Sequence, residues 1–331
     1  MIPSTSVRRL LHAGAGVTVA LCAGAALLAP AADASQLVDR NATRVRLRVD
    51  ASGQALLTYR ADGRTRHVLA WGAINAVAPS RTARQAHFQL DYSGGWGRYG
   101  HVVWPRFTNV CRRYRGPRLA WLVTACTAPD GSNWALQAFP QPLPDLGFAP
   151  WTVAQQATWL ELSHWRGALP KLDVWRSWAW DNRYQQLFGR LTYAGRPVYG
   201  FSSTRYGAPT DLFGTLLYLD TYDSAYGSGW RRENSFLTHR PTGGWCYGFY
   251  PFDPMLNGYE HPPGYAGGLR GPGLGTRYRI TARGPGVTPD VMWQGSGFHA
   301  YDPRSLADLA YRQQIAPVFQ DVLQGDPLCH G

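Results

Sequence analysis

Lysine is almost missing from this chain. Lys171 is the only one, so nearly all of the positive charge is arginine. Glutamate is scarce too, confined to Glu161, Glu233 and Glu260. With so few glutamates, there are few ways to set two carboxyls across one glycosidic bond, which leaves a short list of hydrolytic candidates. Several signatures are missing outright. HExxH, the phosphate loop and a GxGxxG fingerprint at a strand-to-helix turn do not occur, which argues against zinc-protease, nucleotide-hydrolysing and dinucleotide-binding chemistry. Ser296 lacks the glycine two residues before it that a nucleophile elbow requires. Asp220 and Asp223 lack the spacing of an EF-hand. No apolar run beyond residue 34 is long enough to span a bilayer as a helix. No cofactor and no metal site is expected.

What the chain does have begins with an address. Arg8 and Arg9 precede an apolar, Ala/Gly-rich run from Leu10 to Pro30, and Ala32-Asp33-Ala34 is a small-x-small cleavage site. Residues 1–34 therefore read as a signal peptide, with Ser35 the first residue of a secreted, extracellular chain. The formal charge is +12, and the leader carries only two of the arginines and one aspartate. Strong basicity points to anionic partners, which for an exported protein are polysaccharide or anionic cell-envelope polymer. Scattered arginines without a reading motif argue against nucleic acid.

Removing the leader takes Cys22 with it and leaves Cys111, Cys126, Cys246 and Cys329. An even set in an exported chain predicts disulfides. The Cys111–Cys126 segment turns at Gly116-Pro117 and returns as an apolar strand, which favours that local pair and leaves Cys246 with Cys329. Zinc is the alternative, but no close Cys/His pair has ligand spacing.

Residues 35–139 read as an N-terminal β-meander. Arg44–Val49 alternates arginine with Val45, Leu47 and Val49, the period-two pattern of a strand with one buried face. Asp62-Gly63 is a strong hairpin signal between the strands Gln54–Arg60 and His67–Trp71. Another strand, His87–Tyr92, runs into the Gly/aromatic loop SGGWGRYG, and Asp130-Gly131 turns the Cys126 strand into Asn133–Phe139. Prolines 140, 142, 144 and 150 make residues 140–151 a Pro-rich loop. Residues 152–331 are then an aromatic-rich β region with a C-terminal helix, and the two β regions are expected to form one unit.

In that second region Val153–Thr158 suggests a helical turn, and Trp159–Trp165 and Leu172–Trp180 read as strands joined at Gly167–Pro170. On the first of them Leu160, Leu162 and His164 are expected to meet the core. That would leave Trp159, Glu161, Ser163 and Trp165 on an open face, an aromatic platform of the kind that stacks on sugar rings. A hairpin over Tyr184–Phe201 turns at Ala194-Gly195-Arg196-Pro197. Asn257–Gly275 is a long Gly/Pro-rich loop. Asp302-Pro303 reads as a helix start, with Leu306, Leu309 and Ala310 buried and Pro317 as a kink or stop.

Between Leu216 and Asp253 the chain gathers its densest set of reactive groups. Asp223, Glu233 and His239 are candidate catalytic residues, with Trp230, Trp245, Arg231 and Arg232 as candidate ligand contacts. Trp230, Glu233, His239 and Trp245 are expected to line one cleft. Two carboxyls or a histidine base beside arginine suit hydrolysis or lyase chemistry on acidic sugars, and the same groups suit a structural ion-pair network. The sequence thus predicts a mostly β protein, an antiparallel sandwich or jelly-roll-like fold with long Gly/Pro-rich loops and a C-terminal helix. Its first functional expectation is a non-catalytic glycan- or envelope-binding domain. The alternatives are a glycan-active hydrolase or lyase and a structural surface protein without a small ligand.

Overall fold

The computed structural model describes residues 35–74, 86–140, 157–179, 184–198, 202–203, 209–210, 217–221, 237–239, 242–248, 277–297, 299 and 301–324. In chain order the strands are β1 (Gln36–Arg40), β2 (Thr43–Val49), β3 (Ala55–Ala61), β4 (Arg64–Gly72), β5 (Phe88–Asp91), β6 (Arg112–Arg113), β7 (Leu122–Thr127), β8 (Asn133–Pro140) and β9 (Thr158–Trp165). They continue as β10 (Lys171–Ala179), β11 (Tyr184–Tyr193), β12 (Arg196–Pro197), β13 (Ser202–Ser203), β14 (Pro209–Thr210), β15 (Leu217–Thr221), β16 (Leu237–His239), β17 (Gly244–Gly248), β18 (Arg277–Ala282) and β19 (Val291–Ser296). Among the described residues one short α-helix, α1 (Trp96–Tyr99), and one long one, α2 (Leu306–Leu323), accompany them.

The fold is all-β and sandwich-like with a C-terminal helix. One sheet runs β2-β3-β4-β5, and a second runs β1-β9-β8-β7-β6. Their inner faces share one core, in which Val49, Leu57, Tyr59, Val68 and Phe88 meet Trp134, Leu136, Leu160 and Leu162. The alternation along β2 works as its sequence dictates, with Val45, Leu47 and Val49 turned to this core. Asp62 and Gly63 both take positive φ, 48° and 73°, so the β3–β4 link twists with its strands. At the β2–β3 link, Asp50 Oδ1 accepts from Ser52 N, Ser52 Oγ and Gln54 N at 2.9, 2.7 and 2.9 Å. Asp130 repeats the device at β7–β8, accepting from Ser132 N and Oγ at 2.9 and 2.6 Å. An aspartate that closes its own turn satisfies backbone donors that would otherwise be exposed.

A third sheet runs β10-β11-β17-β16, with β12 beside β11, and faces a fourth, β15-β18-β19. Val174, Leu187, Leu191 and Trp245 meet Ile280 and Ala282 between them. The opposite face of the third sheet, with Phe188 and Cys246, is covered by Ile315, Val322 and Leu323 of α2. Trp245 stands directly opposite Gly189 in the β11–β17 register. Only a glycine fits there, because a Cβ would run into the indole and the Asp173 carbonyl.

Several expectations are corrected. β9 and β10 belong to different sheets, so Gly167–Pro170 links layers rather than closing a hairpin. The cap of α2 is Ser305, whose hydroxyl accepts from Asp308 N, because Asp302-Pro303 forms a separate turn before it. Asp308, Ile315, Val322 and Leu323 are the buried residues of α2, while Leu306 is 82% exposed and Leu309 and Ala310 face solvent. Pro317 sits within the helix and does not end it. The helical turn at 153–158 and the loop at 257–275 fall largely or wholly outside the described residues, as do residues 141–151 of the Pro-rich loop. Among the described residues no helix is long and apolar enough to cross a membrane.

Candidate functional site

The outer face of the first sheet carries what β2, β3 and β4 turn away from the core: Arg48, Thr58, His67, Leu69 and Trp71. Residues 92–110 fold back over it. The return is held at its root by Asp91, which accepts from Ser93 N at 2.8 Å and Arg98 N at 3.2 Å, and from the Ser93 hydroxyl. Enclosure pushes the Asp91 carboxyl up, but these hydrogen bonds outweigh it and hold the group below its ordinary range. The loop's far end docks on β2, with Val110 N donating to Val49 O and Val49 N donating to Asn109 Oδ1, at 2.8 and 2.9 Å.

Between those anchors the aromatic groups are fixed one by one. Trp104 lies flat on His67, ring centroids 4.5 Å apart and planes 6° from parallel. Burial and the neighbouring Arg48 push His67 down, so it is neutral at pH 7 and stacks without a charge to hydrate. Arg98 lies 4.1 Å over the Trp71 ring. Arg48 donates to the carbonyls of Phe107 and Trp104 at 2.9 and 3.3 Å. Tyr99 Oη exchanges hydrogen bonds with the Gln54 amide at 2.6 and 2.9 Å.

The result is an aromatic surface, carried on a loop held at both ends, that is left open to water. Trp96 is 61% exposed, with Tyr92, Tyr99 and Trp104 exposed beside it along the same loop. A cleft of about 780 Å³ runs along the loop, lined by Asp50, Ser52, Gln54, Tyr99, His101 and Arg106 among others. Directly after it in the chain, β6 and its turn expose Arg112, Arg113, Arg115 and Arg118. That turn is closed by the Cys111–Cys126 disulfide, as expected, with Cα atoms 5.7 Å apart.

A second polar cluster is enclosed. Glu161, on the face of β9 away from the first core, is ion-paired with Arg283 at 2.7 Å. Beside it Asp290 accepts from Ser35 Oγ at 2.6 Å and Gly284 N at 3.0 Å. Gln137 bridges the backbone of Asp290, donating to its carbonyl at 3.0 Å and accepting from its amide at 2.9 Å.

The residues singled out from sequence fare unevenly. Asp223, Trp230, Arg231, Arg232 and Glu233 lie outside the described residues. His239 stands opposite Trp245 in the β16–β17 register. Trp245 is 0% exposed, so it is part of the core and lines no open cleft. The open face expected on β9 is closed: Glu161, Ser163 and Trp165 are buried, Trp165 at 1% against Leu119 and Tyr114. Trp159 is half-buried, with the guanidinium groups of Arg40 and Arg283 at 5.6 and 5.5 Å from its ring. The reason is the 283–290 turn and the β6–β7 link, which cover the face that strand alternation alone leaves open. Cys246 is disulfide-bonded, while Cys329 lies outside the described residues. Sequence reasoning noticed SGGWGRYG as a loop and gave it no role. The usable signal was the alternation of His67, Leu69 and Trp71 on β4 followed by an aromatic loop long enough to fold back onto them.

Compared with known proteins, the chain matches no family model, no curated protein and no solved structure.

Proposed function

We propose that this is an exported, non-catalytic binding protein for an anionic glycan or cell-envelope polymer, and that its ligand lies on the surface built by residues 92–118. The observation that carries this reading is Trp96, an indole with most of its area in water on a loop pinned at both ends. Leaving a large apolar ring exposed forgoes the stabilisation of burying it, and a loop already held at both ends presents the ring with less chain left to order on binding. Sugar rings offer C–H faces to such a ring and hydroxyls to Gln54, Ser52 and Asp50 in the adjoining cleft. The exposed arginines of the β6 turn supply the attraction for carboxylate or phosphate groups on the polymer.

A panel of neutral and acidic polysaccharides tests it. Binding is expected to the acidic ones, weakening as salt is raised because the arginines are exposed and screened. Trp96→Ala should lower affinity by about tenfold, the loss typical of a central aromatic anchor. Retention of full affinity by that variant, or no binding to any member of the panel, overturns the reading.

A further inference from the structure

Asp290 poses a problem that its surroundings leave unsolved. It is 1% exposed, and its Oδ2 is buried without a hydrogen-bond partner. Protonating it offers no escape, since an O–H at that atom would be a buried donor instead of a buried acceptor. Among the described residues the buried charged groups here are Glu161, Arg283 and Asp290, and the Arg283 bonds to Glu161 and to the Ser35 carbonyl do not reach Asp290 Oδ2. A buried carboxylate is costly unless paired, so that oxygen calls for a cationic donor.

Ser35 already reaches into the cluster. Its hydroxyl is on Asp290 Oδ1 at 2.6 Å, its carbonyl accepts from Arg283, and its N donates to Gly284 O at 3.3 Å. The side chain and the N of one serine are held about 3 Å apart by covalent geometry, so the N lies within about 6 Å of the same carboxylate, close enough for a freed ammonium to turn toward it. Ser35 is also the residue that follows Ala32-Asp33-Ala34.

We infer that Asp290, with Gly284 O, forms a receptor for a primary α-ammonium, and that its ligand is the new N-terminus of this chain, made when the Ala34–Ser35 bond is cut. A peptidase of the export machinery would add water across that amide, leaving a carboxylate on Ala34 and an amine on Ser35 that takes up a proton. The amide N–H becomes an ammonium with three donors, one for Gly284 O and others for Asp290. Enclosure pushes the Asp290 carboxyl up, opposed by Arg283 and by the Ser35 and Gly284 hydrogen bonds, and an ammonium alongside would draw it back to the charged form. Because Ser35 leads into β1, which pairs with β9, removing the leader would complete the fold rather than trim it.

The scarcity of lysine makes the test clean, since Lys171 carries the only other amine of the mature chain. The mature protein beginning at Ser35 is compared with the same chain carrying one extra glycine in front. At pH 7 an amine-reactive reagent, read by peptide mass, should modify the Ser35 α-amine at least about tenfold more slowly in the folded protein than in urea, as for a group that reacts only on opening. The glycine-extended amine should react at the unfolded rate. The Ser35 form should also melt higher by about 2 °C or more, and Asp290→Asn should erase that difference. Equal labelling of folded and unfolded Ser35 forms, or equal melting of the two chains, overturns the inference. So does an exported protein whose first residue is not Ser35. Labelling needs no variant, so the test survives an Asp290→Asn chain that fails to fold.

Discussion

The β2–β5/β1–β9 sandwich and the layers built by β10–β19 with α2 use histidine in opposite ways, buried in the first and exposed in the second. In the first, His164 is stacked on Trp134 with centroids 3.7 Å apart and bonded to Gly72 O and Ser132 Oγ, each at 2.9 Å. Desolvation pushes it down, so it belongs to the core as a neutral ring. In the second, His299 bonds Gly297 O at 2.9 Å and both carboxyl oxygens of Asp308 at 2.9 and 3.0 Å. Those bonds to Gly297 and Asp308 push it up toward the charged form, and it joins α2 to the chain before it. A sheet core filled by aromatic rings favours imidazole, whereas the Gly297 carbonyl and the Asp308 carboxylate draw His299 toward imidazolium.

The hardest blow to this pairing of regions is removal of their largest buried rings. Trp134→Ala and Trp245→Ala should each lose about 3–5 kcal/mol. Urea unfolding followed by fluorescence and circular dichroism should still give one transition in each, since Arg283, Gln137 and Asp290 tie the 283–290 turn to β8 and β9. Two separated transitions would break the comparison into independent halves. Next in size, Cys111→Ser with Cys126→Ser should cost about 3 kcal/mol through the loop it opens, whose ends are 15 residues apart. Gly189→Ala forces the Trp245 indole to move and should cost about 1–3 kcal/mol by overpacking, read as a lower urea midpoint.

The pH response sharpens the contrast. His164 has a folded value below its unfolded one, so its contribution is present above the unfolded value near 6.5 and is lost as pH falls through the depressed one. His299 is raised, so its contribution is present below 6.5 and is lost as pH rises through the raised value. Urea midpoints across pH 5–8 should therefore show His299→Ala differing from the parent more at pH 5.5 than at pH 8. A difference that grows toward pH 8 would contradict the assignment. The smallest effect belongs to Trp96→Ala, whose stability should stay within about 0.5 kcal/mol of the parent because the ring is mostly in water.

Much of the first sandwich was legible. Asp62-Gly63, Asp130-Gly131 and the β2 alternation are local codes, in which the residue type and the backbone requirement sit at the same position. β9 misled for the same reason. Glu161 and Ser163 alternate with leucine and look solvent-facing, yet the partner that lets Glu161 be buried, Arg283, is 122 residues away. No periodicity on β9 announces it. Leu306 and Leu309 misled at α2, because the helix docks through Asp308 and Ile315. The aromatic surface over β4 was visible only as composition, since its meaning depends on which face of the sheet the loop returns to.

The disulfide has a consequence beyond the loop it closes. Cys111 follows Val110, the residue that docks the aromatic loop on β2, while Cys126 lies on β7 in the facing sheet. One covalent bond therefore fastens the end of that loop to the opposite layer, like a clasp across the mouth of the sandwich. Reduction would leave both sheets in place and release the edge that keeps Trp96 and Trp104 in register. The shape of the exposed surface is in this sense conditional on the thiol chemistry of its surroundings, and dithiothreitol should loosen it before it unfolds anything.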